Sequence, residues 1–237
     1  MQVKTKAIVI SSIRYQEKSL IVKCFTETDG IKNYFVPSAF SAKKNHQKIA
    51  YFQPLTQLEI VATHKNKGTL EHFKEIKLSY NYQNIPTDIT KSTIVIFLSE
   101  ILNHAIKEEE KNESLFVFLE TALQWFDTHK ETYNFHLIVM LELTKFLGFY
   151  PGKSITENDF FEMTEGVFVP YTSLSCINEQ ESKMLKKLME IKFDSNQRVF
   201  TAAHRQVLLK LLLDYYSIHL IGFKQPNSLE VLKEVFA

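Results

Sequence analysis

Cysteine, glycine and proline are all scarce in this 237-residue sequence, with 2, 6 and 6 copies. Cys24 and Cys176 are far apart and sit in no partner motif, so a disulfide framework is excluded and a reducing compartment is expected. The six glycines are scattered singly, so neither a dinucleotide-binding turn nor a phosphate-cradling loop can be written. No apolar run reaches ~18 residues and no charged-then-apolar leader opens the chain, which predicts a cytoplasmic protein without a membrane span. The eight histidines form no metal-ligand spacing; His129 and His136, seven apart, read better as ordinary surface or core residues. Glu108-Glu109-Glu110 reads as a solvated helix end. No nucleophile elbow or paired-carboxylate pattern is present, so no catalytic residue is assigned and an enzyme is not expected.

What the sequence does have is charge asymmetry. Its net charge is only +1, yet residues 1–80 hold 13 Lys and Arg against 6 Asp and Glu, a net +7, while residues 81–237 hold 15 against 21, a net −6. A basic segment beside an acidic one points to a polyanion-binding module next to a different one. Aromatics are plentiful, with 19 Phe and 10 Tyr, and most of them are expected in cores.

The basic segment has β character. β-Branched runs at residues 7–11, 20–25, 32–37, 55–62 and 69–78 are separated by turn residues, and the Asp29-Gly30 pair marks a hairpin. Five short strands in 80 residues suit a small barrel of the OB type, with an SH3-like barrel as the alternative. Cys24, inside an apolar strand, is expected to be buried. Lys43-Lys44-Asn45-His46-Gln47-Lys48 is a loop without an apolar residue. With Arg14 and Lys32 it offers phosphate contacts, and Tyr15, Tyr34 and Tyr51 are interleaved. The same pattern also fits a solvated basic face with packed tyrosines.

From Pro86 the period becomes helical. A Thr87/Asp88 cap opens a helix carrying Ile94, Phe97, Leu98, Ile101, Leu102 and Ala105. A second carries Leu115, Leu119, Ala122, Leu123 and Phe126. A third, over 133–147, is apolar nearly all round and is predicted to lie at a bundle centre, stopped by Gly148 and Pro151. Residues 149–177 break the pattern, and helices resume over 179–191, 201–221 and 228–236. The fold class is therefore α+β with two domains: a basic barrel at 1–80 and an acidic all-α domain at 81–237 with an irregular insertion at 149–177.

The segments Lys6-Ala7-Ile8-Val9-Ile10, Tyr15-Gln16-Glu17-Lys18-Ser19-Leu20-Ile21-Val22, Phe52-Gln53-Pro54-Leu55-Thr56, Gly68-Thr69-Leu70, Phe146-Leu147-Gly148-Phe149-Tyr150-Pro151 and His219-Leu220-Ile221-Gly222-Phe223 follow in an order that resembles the RecO family of bacterial DNA repair proteins. The resemblance covers essentially the whole chain. It implies an N-terminal OB domain and a C-terminal helical domain. It implies a cytoplasmic, nucleoid-associated recombination mediator that binds single- and double-stranded DNA and anneals strands. The implied partners are RecR and the acidic, Phe-ended tail of single-stranded-DNA-binding protein. The loop lysines Lys43, Lys44 and Lys48 match the family's basic loop, with Arg14 and Lys32 as further DNA contacts. Arg198, Arg205 and Lys210, around an apolar helix, are the candidates for the tail peptide. Many members carry a four-cysteine zinc site just after the segment matching Gly148-Phe149-Tyr150-Pro151. Here the stretch from Gly152 to Tyr171 has no cysteine, so no zinc and no other cofactor is expected. The insertion would then be held by Phe160, Phe161, Phe168 and Pro170.

Overall fold

The structure is a computed structural model. It describes residues 1–40, 49–65, 70–107, 110–130, 132–153, 159–194 and 199–235. The chain divides into two compact units, Met1–Thr128 and His129–Ala237.

Five antiparallel strands form the sheet of the first unit: β1 (Gln2–Tyr15), β2 (Ser19–Thr26), β3 (Gly30–Val36), β4 (Gln57–Thr63) and β5 (His72–Leu78), in the order β3-β2-β1-β4-β5. The sheet curls until its edges touch at one parallel bridge, Tyr34 to Glu71, where Phe35 N–H donates to the Glu71 carbonyl and Glu71 N–H to the Asn33 carbonyl. One bridge is not a ladder, so the architecture is OB-like without full closure. The β2–β3 turn forms because Gly30 takes a φ of +63°, while Thr26 Oγ1 receives Asp29 N–H and donates to the Gly30 carbonyl. Period-two alternation then sends Ala7, Val9, Val22, Cys24, Tyr34, Leu58 and Ile60 to one core. As expected, Cys24 is buried there; burial pushes its thiol pKa up.

Two helices complete this unit, α1 (Ile89–Ala105) and α2 (Glu113–Thr128). The Asp88 carboxylate caps α1 by accepting Thr90 and Lys91 N–H. The helices cover the outer face of the sheet at one end. Phe25 packs on Phe116, ring centroids 5.9 Å apart, and Lys6 pairs with Glu120. Lys23 Nζ donates to the Asn103 carbonyl and Oδ1, and burial lowers its pKa. At the C-terminal end of α2, the fully buried Asp127 receives the backbone N–H groups of Gln83, Asn84 and Ile85 at 2.8–2.9 Å.

The second unit holds α3 (Phe135–Leu147), the hairpin β6 (Phe160–Glu162) and β7 (Val167–Val169), α4 (Glu179–Glu190), α5 (Ala202–His219) and α6 (Leu229–Val235). Gly148, at φ +84°, ends α3. Residues Phe135 to Leu141, Leu143 and Thr144 of α3 are all buried, as its all-round apolar character requires. Tyr216 of α5 donates to the Met140 carbonyl inside this core. An Asn178–Glu181 capping box starts α4. Among the described residues, no helix is long and apolar enough to cross a membrane.

In the insertion, Phe161 and Phe168 are buried with centroids 5.0 Å apart, and Phe161 meets Tyr215 of α5 at 5.4 Å. Phe160 is half-buried and Pro170 is exposed, so the clasp is narrower than the four residues expected from sequence. Cys176 faces Ser173 Oγ at 3.2 Å, and no group of three or more His, Cys, Asp or Glu among the described residues could hold a metal.

Candidate nucleic-acid interface

Pairing across the sheet decides which side chains of the basic segment face solvent. Directly paired residues share a face. Lys32 pairs with Cys24, and its neighbour Tyr34 pairs with Val22, both core residues. Lys32 therefore sits on the core face of β3 and is only 8% exposed, which leaves little of it for a phosphate. Lys32 is expected from sequence as a further DNA contact, and this burial limits the surface it offers. Alternation reverses its direction, and charge counting alone is blind to alternation.

Arg14 stands near the end of β1, exposed, with its guanidinium over the Phe40 ring at 4.9 Å and one N–H donated to the Glu17 carbonyl. Phe40 is the last described residue before the three-lysine loop. Lys43, Lys44 and Lys48 themselves lie outside the described residues, as does Arg198.

The three interleaved tyrosines part company. Tyr34 is fully buried, stacked on Phe73 at 4.1 Å and 2.7 Å from His64 Nε2; burial pushes its hydroxyl pKa up. Tyr15 is 42% exposed at the end of β1. Tyr51 is half-buried in a cleft of about 680 Å³ that it lines with Leu78, Tyr80, Tyr82 and, from α1, Val95 and Ile96. Tyr82 donates its hydroxyl to the carbonyl of Leu55, whose φ is +55°.

Two rings that sequence reading did not select accompany Tyr15 on the outer face. Phe35 of β3 meets Tyr15 edge-on at 6.2 Å, and His72 of β5 meets Phe35 edge-on at 6.0 Å. The signal for Phe35 was available, since it alternates with the core residues Tyr34 and Val36. His72 could not be placed without the β3–β5 contact.

In the second unit, Arg205 and Lys210 lie on α5, five positions apart and so about 140° apart around the helix. They do not share one face. Arg205 is half-buried, donating to the Phe200 carbonyl and lying 5.6 Å from the Tyr133 ring centroid, whereas Lys210 is exposed. His136, near Arg205, is buried, and burial together with the Arg205 charge pushes its pKa down to about 3.

The family descriptions "Recombination protein O N terminal" and "Recombination protein O C terminal" match residues 1–82 and 86–228. Among curated proteins, the chain is 64% identical to the DNA repair protein RecO of Flavobacterium psychrophilum and 61% identical to that of Flavobacterium johnsoniae. It is 41% identical to the DNA repair protein RecO of Christiangramia forsetii. Each of these matches spans 100% of this chain and 100% of the relative.

Proposed function

The chain belongs to the RecO family, and from that premise we propose that it is a non-enzymatic mediator of DNA repair and recombination. It binds single- and double-stranded DNA, anneals complementary strands, and helps load recombinase onto strands coated by single-stranded-DNA-binding protein. It works with a RecR-type partner and engages the acidic tail of the coating protein through its helical unit. The setting is the bacterial cytoplasm, at the nucleoid.

The observation that carries the reading is the +7 charge of residues 1–80 on an OB-like sheet whose outer face is covered at Phe25 by Phe116 but leaves Ile13 and Tyr15 exposed. Annealing needs no covalent chemistry. It needs two repelling strands to be neutralised by contacts weak enough to exchange, which exposed lysines and arginines supply. Lys43, Lys44, Lys48 and Arg14 take the phosphates, with Lys32 a lesser contact because of its burial. Arg205 and Lys210, with Arg198, remain the cations proposed for the tail peptide.

The aromatic cleft of Tyr51, Tyr80 and Tyr82 favours a second reading, in which this unit docks a partner protein and its charge only steers the encounter. Annealing separates the two. Complementary strands of about 30 nucleotides, labelled with a donor and an acceptor, should pair faster with the full-length protein than without it. An unchanged pairing rate would leave the docking reading in its place.

A further inference from the structure

The outer face of the sheet changes character along the strands. One row, Ile8, Phe25 and Ile31, is buried at 5% exposure or less, with Phe25 on Phe116 of α2. Farther along the same face, the row Ile13, Ile21 and Phe35 is equally apolar but less covered: Ile13 is 59% exposed, and Ile21 and Phe35 are half-buried. Tyr15 and His72 flank Phe35 there, both edge-on to it, at interplanar angles of 86° and 87°. The face is therefore not merely the residue of a core. It carries three rings from β1, β3 and β5, and two of them stand perpendicular to the third.

We propose that Tyr15, Phe35 and His72 form a stacking platform for the unpaired bases of a single nucleic-acid strand. The inference rests on the DNA-handling reading and deepens it by assigning the part that distinguishes a single strand from a duplex. Charge complementarity names the occupant: the platform sits in the segment with net charge +7, and exposed Lys18, Lys65 and Lys74 lie on the stretches of chain that carry Tyr15 and His72. Bases stacked within a duplex cannot offer their faces to these rings. The bases of a single strand can, and every base has a face to offer, so the platform selects strand state without selecting sequence. Phosphate contacts alone attract both forms.

The test compares two strands of equal length and charge, one of thymidines and one built of abasic sites, bound to the full-length protein at one salt concentration. The wild type should bind the thymidine strand at least ~5-fold more tightly. In the Tyr15→Ala/His72→Ala variant that preference should collapse towards unity, whereas Tyr15→Phe, which keeps the ring, should retain it. Thermal unfolding of each variant checks that the fold survives. Equal wild-type affinity for the two strands overturns the platform and leaves DNA binding intact. A preference that survives the double variant, with or without loss of a protein partner, overturns it as well. Failure of both strands to bind removes the DNA-handling reading itself, and the platform with it.

Discussion

Asp127 Oδ1 accepts the backbone N–H of Asn84 at 2.8 Å, and with that bond the last turn of α2 holds the strand-to-helix connection in place. The same carboxylate takes the N–H groups of Gln83 and Ile85, while Lys91 Nζ donates to the carbonyls of Phe126 and Asp127. This bond set explains why the first compact unit runs to Thr128 instead of ending with the sheet.

Replacing Asp127 by Ala leaves the buried N–H of Ile85 without its acceptor, at ~1–3 kcal/mol, whereas the part-buried N–H groups of Gln83 and Asn84 can turn to water. We expect Asp127→Ala to destabilise the first unit by ~1–3 kcal/mol. Trp125, the single tryptophan, lies in α2 two residues away, so its fluorescence in a urea titration reports this unit.

Gly166 tests the clasp of the insertion. Its φ is +68° and a Cβ there would collide with the Tyr215 hydroxyl, which donates to the Phe149 carbonyl. Gly166→Ala should cost about 2 kcal/mol from strain and crowding. Adding Tyr215→Phe should cost less in that background than in the wild type. Thermal unfolding of the four proteins in the cycle measures the difference.

Acid should loosen α3 through His136. Its folded pKa, about 3, lies below the ordinary 6.5, so the neutral ring is favoured in the fold. That stability is complete above about pH 6.5 and is lost as pH falls towards 3, at about 1.4 kcal/mol per pH unit for one proton. Amide exchange of α3 in wild type and His136→Leu checks this; the variant should lack that share of the slope.

The loop lysines should govern salt dependence. Replacing Lys43, Lys44 and Lys48 by Ala should reduce the slope of log affinity against log salt by about 2 for a single strand, at ~0.7 for each phosphate that is no longer neutralised. An unchanged slope would take the loop out of the interface.

Much of the fold was legible because local rules and tertiary packing agree. The Gly30 turn, the Asp88 cap, the Gly148 stop and the buried α3 each announce themselves within a few residues. What stayed hidden depends on pairing. The direction of Lys32 follows from its register with Cys24, and the length of β1 includes Lys4 and Lys6, whose apolar neighbours pair with β4. Phe35 and His72 meet only because the two sheet edges touch at Tyr34 and Glu71. Asp127 looked like one acid among many at a helix end, and nothing in its local sequence shows the three N–H groups that converge on it.

The central claim is that this protein holds DNA through its phosphates. Fluorescence anisotropy of a labelled single strand of about 30 nucleotides, titrated with the full-length protein at several salt concentrations, tests it most directly. The account predicts tight binding at low salt that weakens steeply and linearly on logarithmic axes as salt rises. Absence of binding at low salt, or an affinity indifferent to salt, would contradict it.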